Sequence, residues 1–399
     1  MAGLFTPEGR EDPYPYYRAL HERGPVLQLA PGAFIAIGFH EVNKLIRDAN
    51  FLVEEAAYQD RVSLDWRAHS SLLAVKNSLL FTNSPDHERV RGMVNGPFSA
   101  RRILELQPRI AHLAEAQLDL MLRSAAGDGV VDFSAEFALP YPLTILSELL
   151  GLPVADCGWL RPRVGELTAV LDPQAGRRDL KTADDAASEL MAYLAELIEN
   201  RHREPQGDLI SQAVLSRHAT DCRLGRDELI GNLIALMLAT ESTGNLLSNG
   251  VAVLLERPEL WTRLHEQPEL VDDFITEAMR YDLPVQLTSR RAHCDSVVAG
   301  TEITAGCAVL IGLGAANRDP RRFAKPDVFD LQRHDNRPIT YGGGSHFCLG
   351  AALAAAEVKA AFASLFARFA TIGKAGVPIR RDRSTIRGYG SLPVVFSTP

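Results

Sequence analysis

The chain has 399 residues, 46% hydrophobic and 23% charged, a balance that excludes disordered and fibrous classes and allows a large core. Its formal charge of −8 gives a net field that repels phosphate backbones and anionic bilayers, which argues against nucleic-acid and membrane-surface partners. The longest unbroken apolar run, around Leu233 to Ala239, is far shorter than the roughly 20 residues a membrane-crossing helix needs, so no span is expected.

The opening MAGLFTPEGREDPYPYY lacks a basic patch followed by an apolar stretch and a small-residue cleavage site, so the expected location is cytoplasmic. From Val26 to Ile37 and again around Val297 to Ile311, Gly and Pro punctuate β-branched and apolar residues, which predicts short strands. Between them the spacing is helical: Leu104, Ile110, Leu113, Leu118 and Leu122, then Leu190, Leu194 and Ile198. No Ser/Gly linker, repeat or low-complexity tract interrupts the chain, so residues 1–399 are expected to form one domain, mainly α with a small β part. The five cysteines (Cys157, Cys222, Cys294, Cys307 and Cys348) are odd in number and contain no CxxC pair, which argues against a disulfide framework or zinc ribbon.

One long helix is predicted from Asp227, as N-cap, to Glu256, roughly 45 Å at 1.5 Å per residue. Its segment LIALMLA is apolar on every face, so burial is expected. Thr240, Glu241, Ser242, Thr243 and Gly244 then place a carboxylate and three hydroxyls inside a buried helix. Two explanations stand side by side at this point. Hydroxyls can bond back to the preceding turn at a hydrated kink, or small alcohols and an acid beside a cavity can hold water and relay protons.

The stronger signal is Tyr341-Gly342-Gly343-Gly344-Ser345-His346-Phe347-Cys348-Leu349-Gly350, followed by the small-residue helix start AALAAAE. Glycines let the backbone fold back, and a cysteine entering a helix N-terminus meets amide donors and a positive dipole end, which favour thiolate. Small residues behind it let a flat ligand approach, which suits iron in a macrocycle. A phosphate cradle would need a Walker lysine after the glycines. A cysteine hydrolase would need Cys348 and His346, two apart, to face one another. A zinc site would need further ligands, with only His293 and Cys294 close by in composition.

GGGSHFCLG closely resembles the cysteine loop of the haem-thiolate monooxygenases, the cytochrome P-450 family, with Tyr341 where that family usually has phenylalanine. The resemblance covers essentially the whole chain. It implies the fold of that family, with a long central helix and haem between it and the cysteine-loop helix, haem b as cofactor, and Cys348 as the iron ligand with Gly350 beside it. His87 and Arg91 in SPDHERVR, Arg290 in QLTSRRA, and His346 are implied as propionate partners, with Arg291 a surface residue. Glu277 and Arg280 in TEAMR match the family's structural ExxR pair, ahead of Asn317-Arg318-Asp319-Pro320 and Phe329, which resemble its meander region.

The resemblance also aligns LMLATESTGN with the oxygen-binding groove, giving Glu241 the acid position and Ser242 the alcohol position, with Thr243 a substitute alcohol. Ser242 replaces the common threonine and Ala239 a common glycine; serine is less restricted at χ1, so the groove is expected to be less rigidly ordered. By the same analogy Leu236, Ala239, Val285, Leu287 and Leu392 face substrate, with the segments from Tyr58 to Phe81, Leu167 to Leu190, and Tyr389 to Leu392. Arg61, Trp66, Arg67 and His69 in the first of these suggest an aromatic, acidic or carrier-bound substrate. The implied reaction is hydroxylation or epoxidation of a small organic molecule with O2, of the kind found in bacterial polyketide, peptide or terpene tailoring. Its electrons would come from a separate ferredoxin and reductase. A haem sensor or electron carrier without turnover would need neither Glu241 nor Ser242.

Overall fold

The computed structural model describes residues 2–62, 65–125, 127, 129–173, 177–215 and 224–397. These divide into two compact units. One comprises residues 1–52, 107–141 and 242–399, the other 53–106 and 142–241.

The first unit holds the sheets. A five-stranded sheet runs in the order Val26–Ala30, Ala33–Ala36, Ala308–Gly312, Leu287–Ala292, Phe51–Leu52. The Ala33–Ala36 and Ala308–Gly312 strands are parallel and the other neighbours antiparallel. Because side chains alternate along a strand, Phe34 and Ala36 enter one core with Val42, Phe51, Val309 and Ile311, while Ile35 and Ile37 enter another with Leu4, Tyr17 and Leu20. Both faces are therefore buried. A second sheet pairs Pro393–Ser397 with Val130–Asp132 and Thr371–Lys374. The expected strands at 26–37 and 297–311 are present; Leu287–Ala292 and the carboxy-terminal strands lacked a clear alternating pattern.

The second unit is helical, with Ser70–Lys76, Asp86–Val94, Cys157–Leu167 and Arg177–Arg203 its main described elements. Leu190, Leu194 and Ile198 are buried, as their spacing predicts. On helix Ala100–Ser124, by contrast, Leu104 is exposed and Ile103 takes the inward position.

The long helix spans Arg226–Glu256 and crosses from one unit's residues to the other's. It begins two residues earlier than the predicted N-cap at Asp227 implies. Asp227 lies inside the first turn, and the Gly225 amide donates to Glu228 Oε2 at 2.8 Å, half of a capping box. The polar segment 240–245 does not interrupt it, because the Thr240 hydroxyl donates to the Met237 carbonyl at 2.6 Å, satisfying itself within the helix.

The alanine-rich helix Ala351–Arg368 is more apolar than its unbroken runs suggest. Together with the turn before it, residues Gly344–Arg368 form a segment long and apolar enough to cross a membrane by length and composition, an 18-residue part of it having mean hydropathy 1.5. No single unbroken run revealed this, since the apolarity comes from many small residues. Leu353, Val358, Phe362 and Leu365 nevertheless bury into the first unit's core, as in a soluble protein's interior helix.

Candidate active site

Cys348 sits two residues before the Gly350 N-cap of the Ala351–Arg368 helix, hereafter the cysteine helix. Its amide donates to the Tyr341 carbonyl at 2.9 Å, closing the loop, and the Phe347 amide donates to the Gly344 carbonyl at 3.1 Å. Gly342 and Gly344 adopt φ of +70° and +68°, which L side chains resist. Gly344 is also required by close packing against backbone, whereas Gly343 faces only the movable end of the Arg47 side chain. A Cβ on Gly343 would lie 2.6 Å from Arg47 Cζ, and one on Gly344 2.7 Å from the Ile46 carbonyl oxygen. A Cβ on Gly350 would meet nothing, so that side of the helix start is open. The Tyr341 hydroxyl is buried without a hydrogen-bond partner among the described residues, and burial, with Cys348 and Glu357 nearby, pushes its pKa up to about 12.

Arg290 lies on strand Leu287–Ala292, paired with Val309. It is buried, and Nη1 donates to the Ser289 carbonyl at 2.8 Å. Among the described residues no carboxylate forms an ion pair with it, and burial alone pulls its pKa down to about 10. Arg291, half-buried, reaches the surface, where Nη1 donates to the Gly306 carbonyl.

In the second unit, His87 and Arg91 sit one turn apart on helix Asp86–Val94, with His87 buried and Arg91 half-buried. Burial lowers the His87 pKa, and the Arg91 charge lowers it further. Glu241 is buried, whereas Leu236 is half-buried and Ala239 is exposed despite the apolar sequence around them. Spaced i, i+3, these two share a helix face that is open rather than packed, correcting the expectation of burial all round.

In the first unit, Ser242 is half-buried and Val285 half-buried, but Leu287 and Leu392 are fully packed. Thr243 is buried, and its hydroxyl donates to the Glu357 carboxyl on the cysteine helix. His346 ends the short turn Gly344–His346 and is half-buried.

Glu277 and Arg280 form a fully buried bidentate pair, Nε to Oε2 at 2.7 Å and Nη2 to Oε1 at 2.8 Å. Arg280 also donates to the carbonyls of Asn317, Pro326 and Val328. Glu277 additionally accepts from Arg333 Nε, Asn336 Nδ2 and the Asp330 amide. Arg333 and Asn336 were not identifiable from sequence, since nothing local marks a residue more than 50 positions away as a partner.

The cations suggested for substrate recognition have partners within the second unit. Arg67 makes two 2.8 Å bonds to Asp60, which also accepts from Trp66 Nε1, and His69 Nδ1 lies 2.7 Å from Asp184 Oδ2. Among the described residues Cys157, Cys294, Cys307 and Cys348 form no disulfide; Cys222 lies outside those residues.

The donor set fits a haem. A thiol stands at the mouth of a small-residue helix, Gly350 leaves that side open, and a buried guanidinium lacks a carboxylate, as a propionate partner would. Comparison with known proteins agrees. The Cytochrome P-450 family model matches residues 168–380, more than half of the chain. The biotin biosynthesis cytochrome P-450 of Bacillus subtilis (strain 168) is 33% identical over 394 residues, covering 97% of this chain and 96% of that protein. The polyketide biosynthesis cytochrome P-450 PksS of the same organism is 33% identical over 418 residues, with 99% of each covered. The crystal structure of P-450 BioI with acyl carrier protein ligated to hexadec-9Z-enoic acid superposes with TM-score 0.89 at 31% identity, covering 98% of this chain and 99% of that one. The chain belongs to the cytochrome P-450 family and has its fold: it is a haem-thiolate monooxygenase whose cofactor is haem b.

Proposed function

We propose that this enzyme oxidises a small, mainly apolar organic substrate, by hydroxylation or epoxidation, in bacterial secondary metabolism of the polyketide or fatty-acyl kind. For hydroxylation the balance is substrate C–H plus O2, two electrons and two protons, giving C–OH and water. The observation that carries this reading is the Cys348 loop, folded back by its glycines onto Tyr341 and open beside Gly350.

Bound at Cys348, haem b supplies the iron that activates dioxygen, with thiolate donation favouring O–O cleavage. His87, Arg91, Arg290 and His346 hold its propionates. Arg290 is already desolvated for that task, since a propionate would neutralise a charge the protein leaves uncompensated. Glu241 and Ser242 deliver the protons, the buried acid passing them to the neighbouring hydroxyl. Thr243 is engaged by Glu357, so the relay rests on Ser242.

Leu236 and Ala239 face the substrate, because they share an open face of the long helix. The internal pairing of Arg67 and His69 favours an apolar substrate over an acidic one. The reductant is a separate ferredoxin with its reductase. Beside the cysteine loop lies a hollow of about 540 Å³ that includes Arg47, Arg322, Arg337, Asp335 and Phe347, where three guanidinium groups against one carboxylate leave a net positive, partly apolar face suited to an acidic electron carrier. The two compact units act as a single catalytic domain, and the enzyme works in the cytoplasm.

The ferrous carbon monoxide spectrum tests the assignment. Wild-type protein is expected to show a strongly red-shifted Soret band, and Cys348→His to lose it while retaining some haem. Survival of the band in the variant would mean that another residue ligates the iron.

A further inference from the structure

Glu357 has no part in the chemistry above, yet it is a buried acid, 3% exposed, on the helix that Cys348 leads into. The Thr243 hydroxyl donates to its carboxyl, and Thr243 adjoins Ser242 on the long helix. Tyr141 Oη, itself buried, donates to the Glu357 carbonyl at 3.2 Å and the Ile110 carbonyl at 3.3 Å. The same stretch of the long helix touches backbone on another side, since a Cβ on Gly244 would lie 2.7 Å from the Ala138 carbonyl oxygen.

We propose that Glu357 is a positioning residue for oxygenation: its carboxyl and the Thr243 hydroxyl clasp the cysteine helix to the long helix, fixing where Ser242 stands relative to Cys348. This rests on the monooxygenase reading. Among the described residues no cation pairs with Glu357, and burial raises its pKa well above the usual carboxylate range, so the clasp is a neutral acid. The titratable groups facing it are Tyr141 and Tyr341, the latter in the cysteine loop. An ionised carboxylate there would add a buried negative charge without a paired cation, whereas the neutral form supplies the bond without the charge. A clasp of this kind needs a hydrogen-bonding group of the right shape and no labile proton, so glutamine can replace it and leucine cannot.

The test uses the full-length protein with Glu357→Gln, Glu357→Leu and Thr243→Val. Infrared difference spectra of the apoprotein at neutral pH are expected to show the C=O stretch of a protonated carboxylic acid, absent from Glu357→Gln. In haem-loaded protein, Glu357→Leu and Thr243→Val should each lower product formed per electron at least threefold while keeping the red-shifted carbon monoxide band. Glu357→Gln should recover at least half of the loss, with a pH profile of coupling parallel to wild type. If Glu357→Gln is as damaging as leucine, the proton itself is used and the clasp is overturned. It is also overturned if no protonated-acid band is found, or if Thr243→Val leaves coupling unchanged. Should Glu357→Leu fail to fold, the glutamine and valine variants still decide. A wild-type protein without the carbon monoxide band would refute the monooxygenase reading instead, and the apoprotein infrared band would remain readable.

Discussion

Replacing Arg290 by methionine should stabilise the empty protein and at the same time weaken its hold on haem. A guanidinium whose pKa lies near 10 rather than 12.5 carries about 3 kcal/mol of desolvation cost at neutral pH. That cost is present throughout the range where the group is charged in both folded and unfolded chains, and it fades only above pH 10. Methionine removes the charge and keeps much of the volume, while losing the bond to the Ser289 carbonyl, worth about 1 kcal/mol. The apoprotein should therefore gain about 2 kcal/mol, read as a rise in urea midpoint at constant slope. Loaded protein loses a charge-assisted bond to a propionate, worth about 1.5–3 kcal/mol, so haem transfer to a scavenging globin should accelerate roughly tenfold to a hundredfold. An apoprotein that becomes less stable would show that Arg290 has a counter-charge in the folded chain, and unchanged haem loss would show that it does not hold a propionate.

Glu277→Gln should destabilise the protein by about 3–5 kcal/mol in urea unfolding, because it leaves the Arg280 and Arg333 guanidinium groups without their shared anion; a loss under about 1 kcal/mol would show that the network is dispensable. Asp282 is pushed up by burial but pulled down further by Arg387, Arg380 and the Tyr14 hydroxyl, to about 2. A folded pKa below the unfolded value of about 3.9 stabilises above pH 4, and the contribution of about 2 kcal/mol disappears as pH falls from 4 toward 2. Asp282→Asn should flatten that part of a stability-versus-pH curve, and an unchanged slope would place the acid sensitivity elsewhere. Ser242→Ala should lower product per electron with little change in the carbon monoxide band, whereas unchanged coupling would pass the alcohol's role to water or to the substrate.

What could be read in advance was what the chain encodes locally. The glycines around Cys348 announce a folded-back loop because their conformations belong to individual residues, and the long helix announces itself over thirty consecutive positions. The environment of a side chain is set by elements distant in sequence. Thr243 and Glu357 lie 114 positions apart, so no spacing rule could reveal that the hydroxyl was engaged. Leu236 and Ala239 are apolar like their buried neighbours, and hydrophobicity alone cannot distinguish an accessible residue from one in the core. Arg67 and His69 looked available for a ligand until Asp60 and Asp184 were brought beside them. The apolarity of the cysteine helix escaped notice for a related reason: alanines spread along it raise its hydropathy without forming an unbroken run.

The two carboxylate oxygens of Glu277 gather donors from four residues in two stretches of chain, residue 280 and the segment 330–336. For chimeras between this enzyme and its relatives, this makes the span from Glu277 to Asn336 a unit of inheritance. A crossover inside it would join an acid from one parent to donors tuned for another, so breakpoints belong on either side.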